Sequence, residues 1–157
     1  MTEALATSEP SRGEGDPYVI DGFDTRAPRP GLSRRATARA RAIAEGLFST
    51  EDGPPPADRL DWMERDLADF FGHVGLRGRV IFLVTTGALY YLAPLLIGRL
   101  STLRGLDWAD RVRAIEALDR TPLNLALLAA KAMLCIVYFE HPDAAAEIGW
   151  DQECMKP

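Results

Sequence analysis

Side chains that commonly carry catalysis or hold metal ions are scarce in this chain of 157 residues. The histidines and cysteines are His73, His141, Cys135 and Cys154. No spacing among them puts ligands on one helical face at the separation that zinc sites use. The chain also lacks the glycine patterns that cradle nucleotide phosphate, and no order of Ser, His and Asp suggests a triad. We therefore predict no catalytic, cofactor-binding or metal-binding residues in this chain.

Charged side chains are more numerous and fall into two groups. Carboxylate pairs in residues 58–69 lie on the polar side of an amphipathic helix, which is typical of a solvated face. A basic group has no acidic residue within it and consists of Arg26, Arg29, Arg34, Arg35, Arg39 and Arg41. A solvated helix start is the simplest interpretation of this basic group. However, cations at a helix N-terminus oppose the helix dipole, which favours an acidic partner surface instead.

Composition limits the class of protein. The mass of 17.3 kDa suits one domain, and the apolar fraction of 47% is ordinary for a globular chain. The net charge of −5 disfavours a nucleic-acid partner. Sixteen arginines against two lysines indicate a GC-rich, bacterial coding source. Because the cysteines are few and the first residues lack the pattern of a signal peptide, we expect a cytoplasmic protein, with a peripheral membrane position left open.

Helical periodicity runs through the chain from residue 32 and predicts an all-α fold. Predicted helices cover residues 33–48, 58–71, 77–93, 95–103, 107–118 and 122–139, and a last short helix begins at Pro142. Ser33, Asp58 and Asp107 are the expected N-caps, and Pro94 is expected to break or kink the third helix. The stripe expected to be buried in the fifth helix is Trp108, Val112, Ile115 and Leu118. We predict a compact helical bundle of about six helices.

An extended or disordered N-terminal arm is predicted over residues 1–31, followed by a helical domain over residues 32–151 and a tail over residues 152–157. The arm is polar and contains a short apolar cluster around Tyr18, Ile20 and Phe23, with Arg26 beside it. A tail with a chance aromatic cluster is one interpretation. The other is an arm whose apolar anchors bind a partner, as flexible segments often do.

A run of nineteen residues without charge, residues 80–98, poses the main question about this chain. It is long enough to cross a bilayer, and residues 122–139 are nearly as apolar, so a membrane-inserted helical hairpin is one hypothesis. Threonines, a glycine and tyrosines inside the run argue against it, and Lys131 in the second helix would cost about 3 kcal/mol on insertion. We favour a central helix covered by its own bundle and by a partner protein.

The order of these patterns resembles a known family. The residues that carry the resemblance are Leu32 and Ser33, Leu47 and Phe48, residues 79–82, Leu103, Arg111 and Leu118, residues 128–139, Pro142 and residues 148–151. The pattern is similar to the small helical subunit (subunit 3) of gluconate 2-dehydrogenase. It is also similar to the helical region that precedes the flavin domain in long-chain alcohol oxidases of the glucose–methanol–choline type. The most specific part spans residues 131–150.

The resemblance implies a non-catalytic accessory subunit of an FAD-dependent alcohol or sugar dehydrogenase. The flavin and the catalytic residues would lie in a separate large flavoprotein subunit, which this chain would bind and stabilise. The chain departs from exported members of the group because it lacks a twin-arginine signal, which puts a periplasmic site in doubt. We expect the partner contacts in the arm, at Tyr18, Ile20, Phe23 and Arg26, and in a C-terminal patch of Tyr138, Phe139 and Trp150.

Overall fold

The computed structural model describes residues 30–150, which fold into six α-helices and one short 3₁₀ turn. The helices are α1 (Arg34–Leu47), α2 (Ala57–His73), α3 (Leu76–Leu96), α4 (Trp108–Leu118), α5 (Asn124–Tyr138) and α6 (Pro142–Glu147), and the 3₁₀ turn is Leu103–Gly105. No strand lies among these residues. The predicted all-α bundle is therefore confirmed.

Two of the three predicted N-caps are confirmed. Ser33 accepts a hydrogen bond from the backbone N–H of Ala36 at 3.4 Å, and Asp107 accepts one from the N–H of Asp110 at 2.8 Å. The prediction that Asp58 caps α2 is wrong, because Pro56 occupies the cap position and Asp58 lies in the first helical turn. There its carboxylate faces the positive end of the helix dipole.

Pro94 does not end α3, contrary to the prediction. The helix continues through Pro94 to Leu96, so the proline lies in its last turn. Only two helical residues follow it, which limits the disruption that its ring and missing N–H can cause. Its own carbonyl accepts the backbone N–H of Arg99 at 2.9 Å, and Gly98 adopts a positive φ of 73° to close the helix.

The segment after α3 is not the helix predicted over residues 95–103. It leads into the 3₁₀ turn. Arg111 of α4 has a buried side chain that binds the backbone of this turn. The Arg111 guanidinium donates to the carbonyls of Leu103 at 3.1 Å, Arg104 at 3.2 Å and Leu106 at 2.9 Å. It also forms an ion pair with Glu45 of α1, so one arginine ties this connection to two helices.

The centre of the bundle is α1, not the apolar run that we expected there. Seven of its 14 residues are buried, and it packs against α2, α3, α4, α5 and the 3₁₀ turn. Most of the buried residues are small, including Ala36, Ala40 and Ala44, so neighbouring helices can approach closely. Gly46 shows how close they are, because a Cβ there would lie 3.0 Å from Cγ1 of Ile115.

Several predicted features fall at the edges of this fold. Trp108 was expected in the buried stripe of α4, but its position at the first residue of the helix leaves it 45% exposed. The start of α5 is Asn124, two residues after the proline that was expected to begin it. Of the predicted arm, only Pro30 and Gly31 are described, and their carbonyls accept hydrogen bonds from Arg79 of α3.

Candidate docking surface

Helix α3 has one buried face and one exposed apolar face. Phe82, Thr86, Leu89 and Ala93 recur at spacings of three and four residues and are buried against the bundle. The opposite face also recurs at helical spacing and consists of Val80, Ile81, Val84, Tyr91, Leu92 and Leu95, all exposed. Val84, at the middle of this stripe, is 65% exposed. The described part of the chain thus leaves a long apolar stripe without a covering element.

Helix α5 continues the same apolar surface. Leu127, Ala130, Leu134 and Val137 face the core, and Leu125 and Ile136 are exposed on the other side. Leu128 is also exposed but borders a separate groove toward α1 and α4. Between α3 and α5 runs an apolar groove of about 240 Å³. Its lining includes Ile81, Phe82 and Thr85 from α3, and Ala129, Ala132 and Met133 from α5. We call the exposed faces of α3 and α5 with this groove the α3–α5 face.

Charge is distributed unevenly around the α3–α5 face. Neither α3 nor α5 contains an acidic residue, and their only charged residues are Arg77, Arg79 and Lys131. Helix α2, by contrast, carries five carboxylates. At the α1 edge of the face, the guanidinium of Arg39 lies 5.5 Å from the ring centroid of Tyr91. The face is therefore apolar at its centre and basic at that edge.

The predicted C-terminal contact residues do not form one exposed patch. Tyr138 is 4% exposed and stacks on Phe48 with ring centroids 4.1 Å apart. Phe139 is half-buried and meets the same ring edge to face at 5.9 Å. Trp150 is exposed. The apolar end of α5 thus packs into the core of the bundle, and only Trp150 of these three presents a side chain to a partner without rearrangement.

The predicted arm contacts Tyr18, Ile20, Phe23 and Arg26 lie outside the described residues, as does Cys154. The predicted role of the arm stays a prediction.

The histidines and the other cysteine have local structural contacts. His141 caps α6, and its Nδ1 accepts the backbone N–H of Asp143 at 3.3 Å. His73 is exposed at the end of α2. Cys135 is half-buried, and burial raises the pKa of its thiol. Across residues 30–150, no three His, Cys, Asp or Glu side chains come together as a metal site.

Sequence reasoning missed the exposed residues of α3 and α5. Because the run 80–98 is apolar on every side of the helix, its periodicity does not distinguish the buried face from the exposed one. The described part of the predicted basic group, in contrast, is divided by the structure into arginines that form ion pairs within residues 30–150 and arginines that do not. The structure separates Arg41, which forms ion pairs with Glu45, Asp61 and Glu64, from Arg34, Arg35 and Arg39.

Length and composition also allow α3 to cross a bilayer. The helix has 21 residues, and an 18-residue window within it has a mean hydropathy of 1.5, whereas α5, at 15 residues, is too short to span a bilayer. Core helices of soluble bundles can meet the same criteria, but they are mostly buried. In α3 only 28% of the apolar window is buried.

No protein-family model, curated protein or solved structure matches this chain. The family resemblance therefore stays a prediction from the sequence patterns.

Proposed function

We propose that this chain is a non-catalytic accessory subunit that covers its α3–α5 face with a larger partner protein. The observation that carries the proposal is the exposed apolar stripe on α3, which continues across a groove onto α5. Large contiguous apolar patches are uncommon on the open surface of monomeric soluble proteins and often mark interaction sites. Burying them against a partner supplies the main favourable free energy of association.

The partner that we propose is a large FAD-dependent flavoprotein of the glucose–methanol–choline type. This choice rests on the resemblance of residues 32–151 to the small helical subunit of gluconate 2-dehydrogenase. In such an assembly the flavin and the reacting groups belong to the large subunit. The residues of this chain then contribute packing surface, which stabilises the large subunit.

Tagging the chain in the organism that encodes it tests this proposal. We expect the tagged chain to co-purify with a flavoprotein that carries the visible absorbance of bound flavin. Val84→Glu combined with Ile136→Glu is expected to abolish co-purification, because each change puts a charge into the proposed interface. The matched control is Arg65→Glu on the exposed side of α2, which is expected to retain the partner. Recovery of the tagged wild-type chain without any flavoprotein would contradict the proposal.

A second candidate is a membrane-associated helical protein that uses the apolar helices at residues 80–98 and 122–139. The exposure of α3 and its length of 21 residues favour this candidate. Extraction separates the two functions, because membrane association predicts pelleting that resists carbonate and release only by detergent. Purification in a detergent-free buffer would rule the second candidate out.

A further inference from the structure

A cleft of about 400 Å³ lies between α1, α3 and the 3₁₀ turn, beside the α3–α5 face. Four arginines and two tyrosines line it: Arg34, Arg35, Arg39, Arg104, Tyr90 and Tyr91. No carboxylate is among the lining residues. The cleft is thus a concentrated patch of positive charge on a chain whose net charge is −5.

The charges in this cleft are not neutralised within the described residues 30–150. Arg41 lies on the same helix and pairs with three carboxylates, and Arg111 pairs with Glu45. For Arg34, Arg35 and Arg104, no carboxylate of residues 30–150 comes within ion-pair distance. Like charges held together repel one another, which is a cost that an external anion removes.

Two further features prepare the cleft for an anion. Arg39 is positioned by Tyr91, whose hydroxyl accepts a hydrogen bond from Nη2 at 3.5 Å while its ring faces the guanidinium. Arg34 and Arg35 occupy the first turn of α1, where the helix dipole disfavours cations and favours a bound anion. Guanidinium groups also match the geometry of phosphate oxygens, since each can donate two parallel hydrogen bonds.

We propose that this cleft is a binding site for a phosphate-bearing ligand, with Arg35 and Arg104 as the principal donors. Its volume is in the range of small-molecule sites. A phospholipid headgroup and a free phosphorylated molecule present the same phosphate group to these arginines. A lipid headgroup is one candidate source because Tyr91 belongs both to the cleft and to the exposed apolar stripe of α3. This site does not depend on the flavoprotein partner proposed above, because its arginines belong to α1 and the 3₁₀ turn and lie outside the α3–α5 face.

Titration calorimetry of the whole chain with inorganic pyrophosphate in low-salt buffer tests the free-phosphate source. We expect saturable binding at one site per chain, weakened by added salt. The double variant Arg35→Gln and Arg104→Gln is expected to raise the Kd for pyrophosphate by about tenfold or more, because charge-assisted hydrogen bonds are lost. Both arginines are exposed, so the variant should keep its helical circular dichroism. Arg65→Gln on α2 removes the same charge elsewhere and is expected to leave Kd unchanged.

Flotation with vesicles tests the lipid source. Vesicles of phosphatidylcholine with phosphatidylglycerol are compared with vesicles of phosphatidylcholine alone. Binding of the wild type to the anionic vesicles, lost in the double variant but kept in Arg65→Gln, would assign the site to a lipid headgroup. Variant-sensitive binding of pyrophosphate without vesicle binding would assign it to a free phosphate ligand. The proposal is overturned if neither probe binds, or if both variants behave alike.

Discussion

Leu127 and Leu128 are adjacent leucines in α5 that face opposite environments. Leu127 is 3% exposed, whereas Leu128 is 63% exposed, although both border the groove between α5, α1 and α4. Replacing each with alanine removes the same atoms from the same helix, so differences in helix propensity cancel between the two variants. The pair therefore isolates the contribution of burial, on which the assignment of the exposed face of α5 depends.

The expected costs follow from these exposures. A buried leucine replaced by alanine costs about 2–5 kcal/mol, and we expect about 2–3 kcal/mol for Leu127 because it lines an open groove into which neighbours and water can relax. Full burial of a leucine stabilises by about 1.5–3 kcal/mol, and Leu128 retains roughly a third of that burial. The better helix propensity of alanine offsets part of this loss. We expect Leu128→Ala to cost about 0.5 kcal/mol.

Urea unfolding of the isolated chain, followed by far-ultraviolet circular dichroism, measures both free energies of unfolding. The two variants must share the wild-type slope with urea for the comparison to be valid. Equal costs for the two substitutions, or a larger cost at Leu128, would refute the assignment of the exposed face of α5. The argument for an open apolar surface would then fail with it.

Three further predictions concern charge and thiol chemistry. Arg111→Met should lower the free energy of unfolding by about 3 kcal/mol, because it leaves three backbone carbonyls and the Glu45 carboxylate without their partner, and two of those hydrogen bonds are buried. Arg113→Met, which removes an exposed side chain, should change it by less than about 0.5 kcal/mol, and equal urea midpoints for the two variants would contradict this. The hydrogen bonds from Arg59 lower the pKa of Glu147 below its usual value, so this carboxylate stabilises the fold above its unfolded-state pKa and loses that effect as pH falls through the lowered pKa. Glu147→Gln should therefore be less stable than wild type at pH 7 and should lose less stability on acidification; parallel pH profiles of urea midpoints would show that the ion pair is not formed. Burial raises the pKa of the Cys135 thiol, so its modification at pH 8, followed by peptide mass spectrometry, should be slower in the folded chain than in urea, and equal rates would contradict the burial.

Local signals in the sequence predicted much of the fold. Ser33, Asp107 and Pro142 mark helix starts because their side chains or fixed backbone angle satisfy the first turn, and these positions are confirmed. Pro94 was misjudged because the effect of a proline depends on how much helix follows it. That length is determined by packing, and the burial of Pro94 against the bundle keeps it within α3.

The candidate surface was less predictable for a physical reason. In an amphipathic helix the sequence pattern indicates which face is buried. Because α3 is apolar all round, only tertiary contacts determine which of its residues are covered. The same limitation applies to Tyr138, which looked suitable for a partner and instead stacks on Phe48. The arginines of α1 were recognised as an unusual group, but their division between ion pairs and an open cleft depends on where α2 and the 3₁₀ turn lie.

Side-chain footprinting with a carbene reagent tests the central claim, that the α3–α5 face docks against a partner protein. The chain is labelled alone and in the complex isolated with its partner, and labelling is quantified by peptide mass spectrometry. We predict strong labelling of Val84 and Ile136 in the free chain and loss of that labelling in the complex, with labelling around Arg65 on α2 unchanged. Unchanged labelling of Val84 and Ile136 in the complex would contradict the account.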